Sequence, residues 1–349
     1  TSNKFADAER HYRHALRIDP SHAIATQNFA ILYAQTNNLN EAILTIERAS
    51  LFDGGKHGVI WMNWAFMCLE SDRIDEALKA AEAGVEAAPC KETWLALASI
   101  LTGAGYPDRA LGYYDKILEV EPLHPQAAPN RCFVQTLTKA TPADLLATRK
   151  GWYEANRFKG DKHPHELGRI NGSTAPLRVG YVSGDFKSHS ASMIFSNVLL
   201  NHDNAKVLPF FYSSLPVAPN SDQMTKDFHT AAGDRWRDIS AISDEQAELL
   251  IRKDRIDILV DLAGHTNGNR LTLFNRKPAP IQVTAWGFAH GTGCPEIDYF
   301  LADKIAVPEE ERKDYAEKIW DVPSVVTYKA PAYDVKGVSQ LPYFVNGYF

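Results

Sequence analysis

Leu177-Arg178-Val179-Gly180-Tyr181-Val182-Ser183-Gly184-Asp185-Phe186-Lys187-Ser188-His189 is the stretch that decides the fold. Residues 177–182 form an apolar run that reads as a strand, and Ser183, Gly184 and Asp185 end it in a small-residue turn. A helix is expected to start soon after His189. In an open α/β sheet, ligands gather at the carboxyl ends of strands, where helix N-termini also point. Function is therefore expected in the crevice beside this strand, with further strand ends as its walls.

Downstream, apolar runs recur at 207–212, 256–262 and 281–286, with candidate helices at 190–200, 221–230, 244–253 and 269–274. This alternation predicts a largely parallel, doubly wound sheet whose central strands are covered on both faces. Shorter strands are expected at 237–240 and 299–301. No Gly-x-Gly-x-x-Gly follows the first strand and no P-loop occurs, so the first turn identifies neither NAD nor ATP. An α/β domain without a catalytic role stays open at this point.

Upstream, the segments 5–20, 39–54, 74–89 and 107–122 share one shape. Ala8, Ala42, Ala77 and Ala110 recur at spacings of 34, 35 and 33, and Pro20, Gly54, Pro89 and Pro122 follow the same intervals. A period near 34 predicts stacked helix–turn–helix units: 23–36 with 39–50, 59–71 with 74–87, and 91–102 with 107–119. The alanines let helices approach closely, Leu16, Ile46, Val85 and Leu118 add apolar contacts, and the closing Pro or Gly stops each second helix. The pattern resembles the tetratricopeptide repeat over residues 5–122, with a departure at Phe52-Asp53-Gly54-Gly55, where proline is more usual. Helical pairing is expected to continue at 125–137 and 142–155. The predicted division is a helical region at 1–160, a linker at 161–176 and a Rossmann-like lobe at 177–349.

Composition narrows the class. A hydrophobic content of 45% with a net charge of −6 fits a globular protein and gives no basic excess for a nucleic-acid partner. No apolar run is long enough to span a bilayer, so no membrane role is expected. Cys68, Cys90, Cys132 and Cys294 are too widely spaced for a zinc pair or disulfide framework, which favours a cytoplasmic setting. His163 and His165 lack acidic or Cys partners at metal-site spacing, and Asn171-Gly172-Ser173 reads as a chance glycosylation triplet.

Three strand ends carry chemistry. His189, flanked by Ser188 and Ser190, is the leading catalytic candidate; as a proton acceptor, a ligand contact or a helix cap it remains open. The run Asp261-Leu262-Ala263-Gly264-His265-Thr266-Asn267-Gly268-Asn269-Arg270 offers a polar wall, in which Asp261 either caps the loop or pairs with Arg270. The run Gly287-Phe288-Ala289-His290-Gly291-Thr292-Gly293 places Phe288, His290, Gly291 and Thr292 where they could line the crevice or form an anion nest; a plain tight turn is the alternative.

These strings, with Pro278-Ala279-Pro280-Ile281-Gln282 and Asp298-Tyr299 in order behind the repeats, resemble the protein O-linked N-acetylglucosamine transferase family, including its SPINDLY-like and bacterial relatives. The resemblance implies a two-lobed, metal-free, inverting glycosyltransferase with a tetratricopeptide superhelix that collects acceptor proteins. The donor is UDP-N-acetylglucosamine in most relatives and GDP-fucose in SPINDLY-like ones. It implies that His189 lies beside the reacting centre, as base or positioning group, and that Asp185, Ser188, Asp261, His265, Thr266, Asn267, Arg270, Phe288, His290, Gly291 and Thr292 face the crevice. Three departures stand out: Ser188-His189-Ser190 replaces Asn-His-Pro, Met193 takes the place of a second histidine, and His290 enters a Gly-Tyr-Pro-Gly-Thr-Ser-Gly segment. The resemblance also implies that a second, nucleotide-holding lobe would begin near the final residues. Alternatives are a noncatalytic interaction scaffold and a transferase acting on small or glycan acceptors.

Overall fold

The computed structural model describes residues 2–52, 57–162, 164–165, 175–218 and 221–328. Asp53-Gly54-Gly55, His163, Asn171-Gly172-Ser173, most of the expected linker and the stretch 329–349 lie outside these residues.

Nine helices form the described part of the first half: α1 (Ser2–Ile18), α2 (Ala23–Gln35), α3 (Leu39–Leu51), α4 (Gly58–Glu70), α5 (Ile74–Ala87), α6 (Lys91–Gly103), α7 (Pro107–Val120), α8 (Ala127–Gln135) and α9 (Pro142–Asn156). Each packs on the next, which makes an antiparallel solenoid. The repeated alanines explain the close approach: Ala42, Ala77 and Ala110 are fully buried, as are Ile46 and Ile117. Local signals set the ends. Pro107 and Pro142 occupy first turns, and Thr141 and Asp144 cap α9 reciprocally, with Asp144 N–H donating to Thr141 Oγ1 at 3.2 Å.

The second half is a seven-stranded parallel sheet built from β1 (Leu177–Ser183), β2 (Val207–Ser213), β3 (Trp236–Asp238), β4 (Ile258–Asp261), β5 (Ile281–Thr284), β6 (Tyr299–Ala302) and β7 (Lys318–Asp321). The strand order is β3-β2-β1-β4-β5-β6-β7, with every pairing parallel. Helices α10 (Ser190–Leu199), α11 (Gln223–Ala232), α12 (Asp244–Lys253) and α13 (Leu271–Phe274) lie in the connections. Alternate residues of the central strands enter two different cores. Tyr181 and Phe211 join an aromatic cluster with Phe186, Phe195 and Phe228, whereas Val182, Phe210 and Tyr212 enter the opposite one.

That opposite core also contains Ala128, Cys132, Trp152 and Tyr153 from α8 and α9. The solenoid and the sheet therefore share buried surface. Tyr153 donates its hydroxyl proton to Glu296 Oε1 at 2.8 Å, and Lys162 pairs with the same carboxylate.

Several expectations shift at their edges. The strand expected at 281–286 ends at Thr284: Ala285 N–H makes a last bond to the Asp261 carbonyl, and the chain then leaves extended geometry as Trp286 adopts φ +55°. The helix expected at 269–274 begins at Leu271, since 266–269 is held as a turn by Asn269 Nδ2 donating to the Thr266 carbonyl. β7 was not anticipated: it is an exposed edge strand with only two apolar residues, so its sequence carries almost no alternation signal.

Candidate functional site

Strand order reverses between β1 and β4, since β1 connects toward β2 on one side and β4 toward β5 on the other. The carboxyl ends on either side of such a reversal splay apart and leave a crevice. Three loops converge there, following the adjacent strands β1, β4 and β5.

The first loop is polar and open. Asp185 N–H donates to Ser183 Oγ at 3.0 Å, and Ser188 N–H donates to Asp222 Oδ2 at 3.1 Å, which ties the loop to the start of α11. His189 is the N-cap of α10: its Nδ1 accepts from Ala191 N–H at 3.2 Å, while Ser192 Oγ accepts from His189 N–H at 3.2 Å. Its side chain is 45% exposed, and Asp185 Oδ2 lies 3.6 Å from Nδ1. With Nδ1 accepting, a neutral ring carries its proton on Nε2. To take up a proton at Nε2, the ring must first move its own proton to Nδ1, where the Asp185 carboxylate stands ready. The capping role and a proton-handling role thus use alternative tautomers of one side chain.

The second loop is mostly framework. Asp261 is fully buried, and its carboxylate accepts from Ala263 N–H at 3.1 Å, Gly264 N–H at 2.9 Å and Thr284 Oγ1 at 2.7 Å. Burial pushes this carboxyl up to about 6, against the opposing pull of those donors. It caps the loop and does not pair with Arg270. Arg270 instead binds Asp244 and the carbonyls of Ile239 and Ile242. His265 is also fully buried, and Nε2 donates to the Thr292 carbonyl at 2.7 Å. Burial drives this ring down to about 4, so it stays neutral. Asp261, His265 and Arg270, expected as crevice contacts, are spent inside because a buried polar group must find its partners locally. Thr266 and Asn267, further along, reach the surface.

The third loop depends on Gly287, where a Cβ would sit 1.7 Å from the Leu262 carbonyl oxygen. Phe288 is buried against His265 and Phe133 of α8 rather than lining the crevice. Gly291 and Thr292 are buried, and His290 is half-buried with its pKa lowered by burial and by nearby Arg149.

A cavity of about 280 Å³ opens between the end of the solenoid and the second loop. Its lining includes the amide side chains of Gln126, Asn130, Asn156, Asn267 and Asn269, with Trp152 beside them. Among the described residues, the lining carries no carboxylate, ammonium or guanidinium group, and the His124 imidazole joins the amides in a polar surface. His189 is not among its lining residues. Nothing in the sequence pointed to Asn130, Asn156 or Trp152, which come from a different domain. The run 322–328 was missed as well: Trp286 Nε1 donates to the Val325 carbonyl at 2.8 Å, and Thr327 Oγ1 donates to the Ile194 carbonyl at 2.5 Å, bringing this segment beside α10.

The family model for glycosyl transferase family 41 matches residues 158–328, the span that contains all three loops. Residues 158–328 belong to glycosyl transferase family 41. Tetratricopeptide models match residues 1–56 and 69–128, ahead of this family 41 region. A rice (Oryza sativa subsp. japonica) relative, "Probable UDP-N-acetylglucosamine--peptide N-acetylglucosaminyltransferase SPINDLY", is 32% identical over 241 residues, which is 67% of this chain and 25% of the relative. The Arabidopsis thaliana relative of the same description with the name SEC is 32% identical over 54% of this chain and 20% of its own length. The chain thus spans about a quarter of the SPINDLY relative. A solved mutant of the Thermobaculum terrenum O-GlcNAc transferase superposes with a TM-score of 0.72 at 22% identity, over 86% of this chain and 57% of that one; this likeness concerns the fold. Among the described residues, no helix is long and apolar enough to cross a membrane.

Proposed function

We propose that this chain carries the solenoid and the acceptor-side wall of an inverting protein O-glycosyltransferase, which moves N-acetylglucosamine from UDP-N-acetylglucosamine to Ser or Thr of cytoplasmic proteins. One observation carries the reading. The strand-reversal crevice of a family 41 region holds an exposed histidine, and an amide-lined cavity joins its second loop to the repeat solenoid. The match to family 41 and the names of the SPINDLY and SEC relatives as peptide N-acetylglucosaminyltransferases support it. The metal-free character of the chemistry rests on the resemblance alone.

In this reading the solenoid collects an extended acceptor polypeptide, and the rim residues Asp185, Ser188, His189, Thr266, Asn267 and His290 face the reacting groups. A second lobe holds the nucleotide sugar against this wall. The acceptor hydroxyl oxygen bonds to the anomeric carbon from the side opposite the diphosphate. The carbon–oxygen bond to the diphosphate breaks, and the nucleoside diphosphate leaves. His189 takes the hydroxyl proton or orients the hydroxyl, with Asp185 able to hold the ring proton on Nδ1. Holding both substrates in line supplies much of the acceleration. Asp261, His265, Arg270, Phe288, Gly291 and Thr292 act behind the wall by fixing the loops.

Full-length protein incubated with UDP-N-acetylglucosamine or GDP-fucose and candidate peptides, with product masses recorded, tests the reading and names the sugar. His189→Ala is expected to lower transfer by about 10²–10⁴-fold while the fold is retained. Unchanged turnover in that variant would remove His189 from the reaction, and no sugar transfer by the wild type would leave the scaffold reading.

A further inference from the structure

The run 322–328, which follows β7, is tied by hydrogen bonds to three separate parts of the α/β region. Val325 N–H donates to Asp303 Oδ2 at 2.9 Å, just past the end of β6. Trp286 Nε1 donates to the Val325 carbonyl at 2.8 Å, where β5 gives way to the third loop. Thr327 Oγ1 donates to the Ile194 carbonyl of α10 at 2.5 Å. Asp303 is itself fixed, because its Oδ1 accepts from Ile305 N–H at 2.9 Å and from Ala306 N–H at 2.8 Å. His189 caps α10, and Met193 N–H donates to the His189 carbonyl at 3.1 Å, so Ile194 stands in the turn that follows the histidine. Trp286 is held in a strained backbone. Its φ of +55° lies in the left-handed region, which is unfavourable for any residue with a Cβ. Gly287 N–H donates to the Ala285 carbonyl at 2.6 Å, closing a γ-turn around Trp286 of the rare, strained hand. Glycine would take this conformation freely. Such strain persists where neighbouring contacts over-determine it, and the indole bond to Val325 is one of those contacts.

We propose that Trp286 and Thr327 are positioning residues: through one strap, 322–328, they hold the His189 helix and the third crevice loop in a single arrangement. The proposal rests on the transfer reading only for its catalytic consequence. If the two contacts were independent, each substitution would loosen only the segment it touches. Acting through one strap, either substitution loosens both. The strained turn at Trp286 gives the third loop a conformation to relax toward once the strap lets go.

Hydrogen exchange on the full-length protein, followed on peptides covering 189–199 and 285–293, separates these cases. Thr327→Val removes the donor at nearly constant shape and is expected to speed exchange about five-fold in both peptides, while β2 and the solenoid keep wild-type rates. Trp286→Phe, which keeps an aromatic ring without the N–H, should do the same. Asp303→Ala frees the strap at its far anchor and should also loosen both peptides, although its carboxylate bonds to neither segment. Thr327→Ser keeps the hydroxyl and should stay within about two-fold of wild type. Strain has its own readout. The unfolding constant of Trp286→Gly should be about three-fold smaller than that of Trp286→Ala, the reverse of the usual order. Loosening confined to the substituted segment, no response to Asp303→Ala, a Ser variant as fast as Val, or an Ala variant at least as stable as Gly would each overturn the proposal. The Thr327 pair remains informative if the Trp286 variants do not fold. Exchange is measured without donor or acceptor, so failure of the transfer reading leaves this result standing. If that reading holds, Thr327→Val should also lower kcat about five-fold, with Thr327→Ser near wild type.

Discussion

The solenoid and the strand-end loops both use small residues to bring chain segments together, but their neighbours differ in kind. In the solenoid, a Cβ on Gly103 would meet the Leu69 side-chain tip at 2.9 Å, and a leucine can change rotamer. In the crevice, a Cβ on Gly287 would meet the Leu262 backbone oxygen at 1.7 Å, and a strand end cannot move without breaking its ladder. Helices that touch their sequence neighbours absorb change locally. At Gly287 the third loop cannot, whereas Gly184 and Gly268 of the first two loops face the flexible Leu215 side chain, so the intolerance is local to the third loop.

The sharpest way to break this contrast is to add one methyl on each side. Gly287→Ala is expected to destabilise the α/β region by more than about 4 kcal/mol, or to prevent its folding. Gly103→Ala should stay within about 1 kcal/mol of wild type, since better helix propensity offsets the displaced leucine. Urea unfolding of both variants checks the pair, and similar losses would erase the distinction.

Titration refines it next. Asp261 has its pKa raised to about 6, so its favourable contribution is present below the unfolded value near 4 and is lost as pH rises through about 6. His265 has its pKa lowered to about 4, so its contribution is present above about 6.5 and is lost as pH falls through about 4. The two slopes oppose each other in one pH window. Relative to wild type, Asp261→Asn should gain about 3 kcal/mol in stability as pH rises from 4 to 6, and His265→Gln should gain about as much as pH falls from 6.5 to 4. Denaturant midpoints measured across this range decide the matter; parallel pH profiles in the variants and wild type would refute it.

The smallest expected effect is at the exposed rim. His189→Ala removes one side-chain cap and should cost about 1 kcal/mol, visible as a small shift in thermal midpoint. Ser188→Ala should change stability by less than about 0.5 kcal/mol, because the Ser188 bond to Asp222 is made by the backbone N–H. A large loss at either position would move the first loop from rim to framework.

Much of this architecture was legible in advance. The 34-residue period placed α2 to α7 to within a residue or two, because each helix is specified by its own apolar face and its own terminators. The apolar runs located β1, β2, β4 and β5 for the same reason. Residue type alone could not separate the rim from the framework. Asp185 follows a strand and Asp261 closes one, yet the first is half-buried beside His189 and the second is enclosed by Ala263, Gly264 and Thr284. That difference depends on how far β5 extends beside β4, which no single segment encodes. The amide cavity was likewise hidden, since its residues lie more than a hundred positions apart in the chain.

By itself the sequence determined the repeat, the parallel sheet and the three strand ends where chemistry gathers, since periodicity and turn residues act over a few positions. Only the tertiary structure decided which polar side chains remain at the surface and which are consumed inside. Burial and hydrogen-bond satisfaction are properties of the assembled neighbours, and here those neighbours come from two domains.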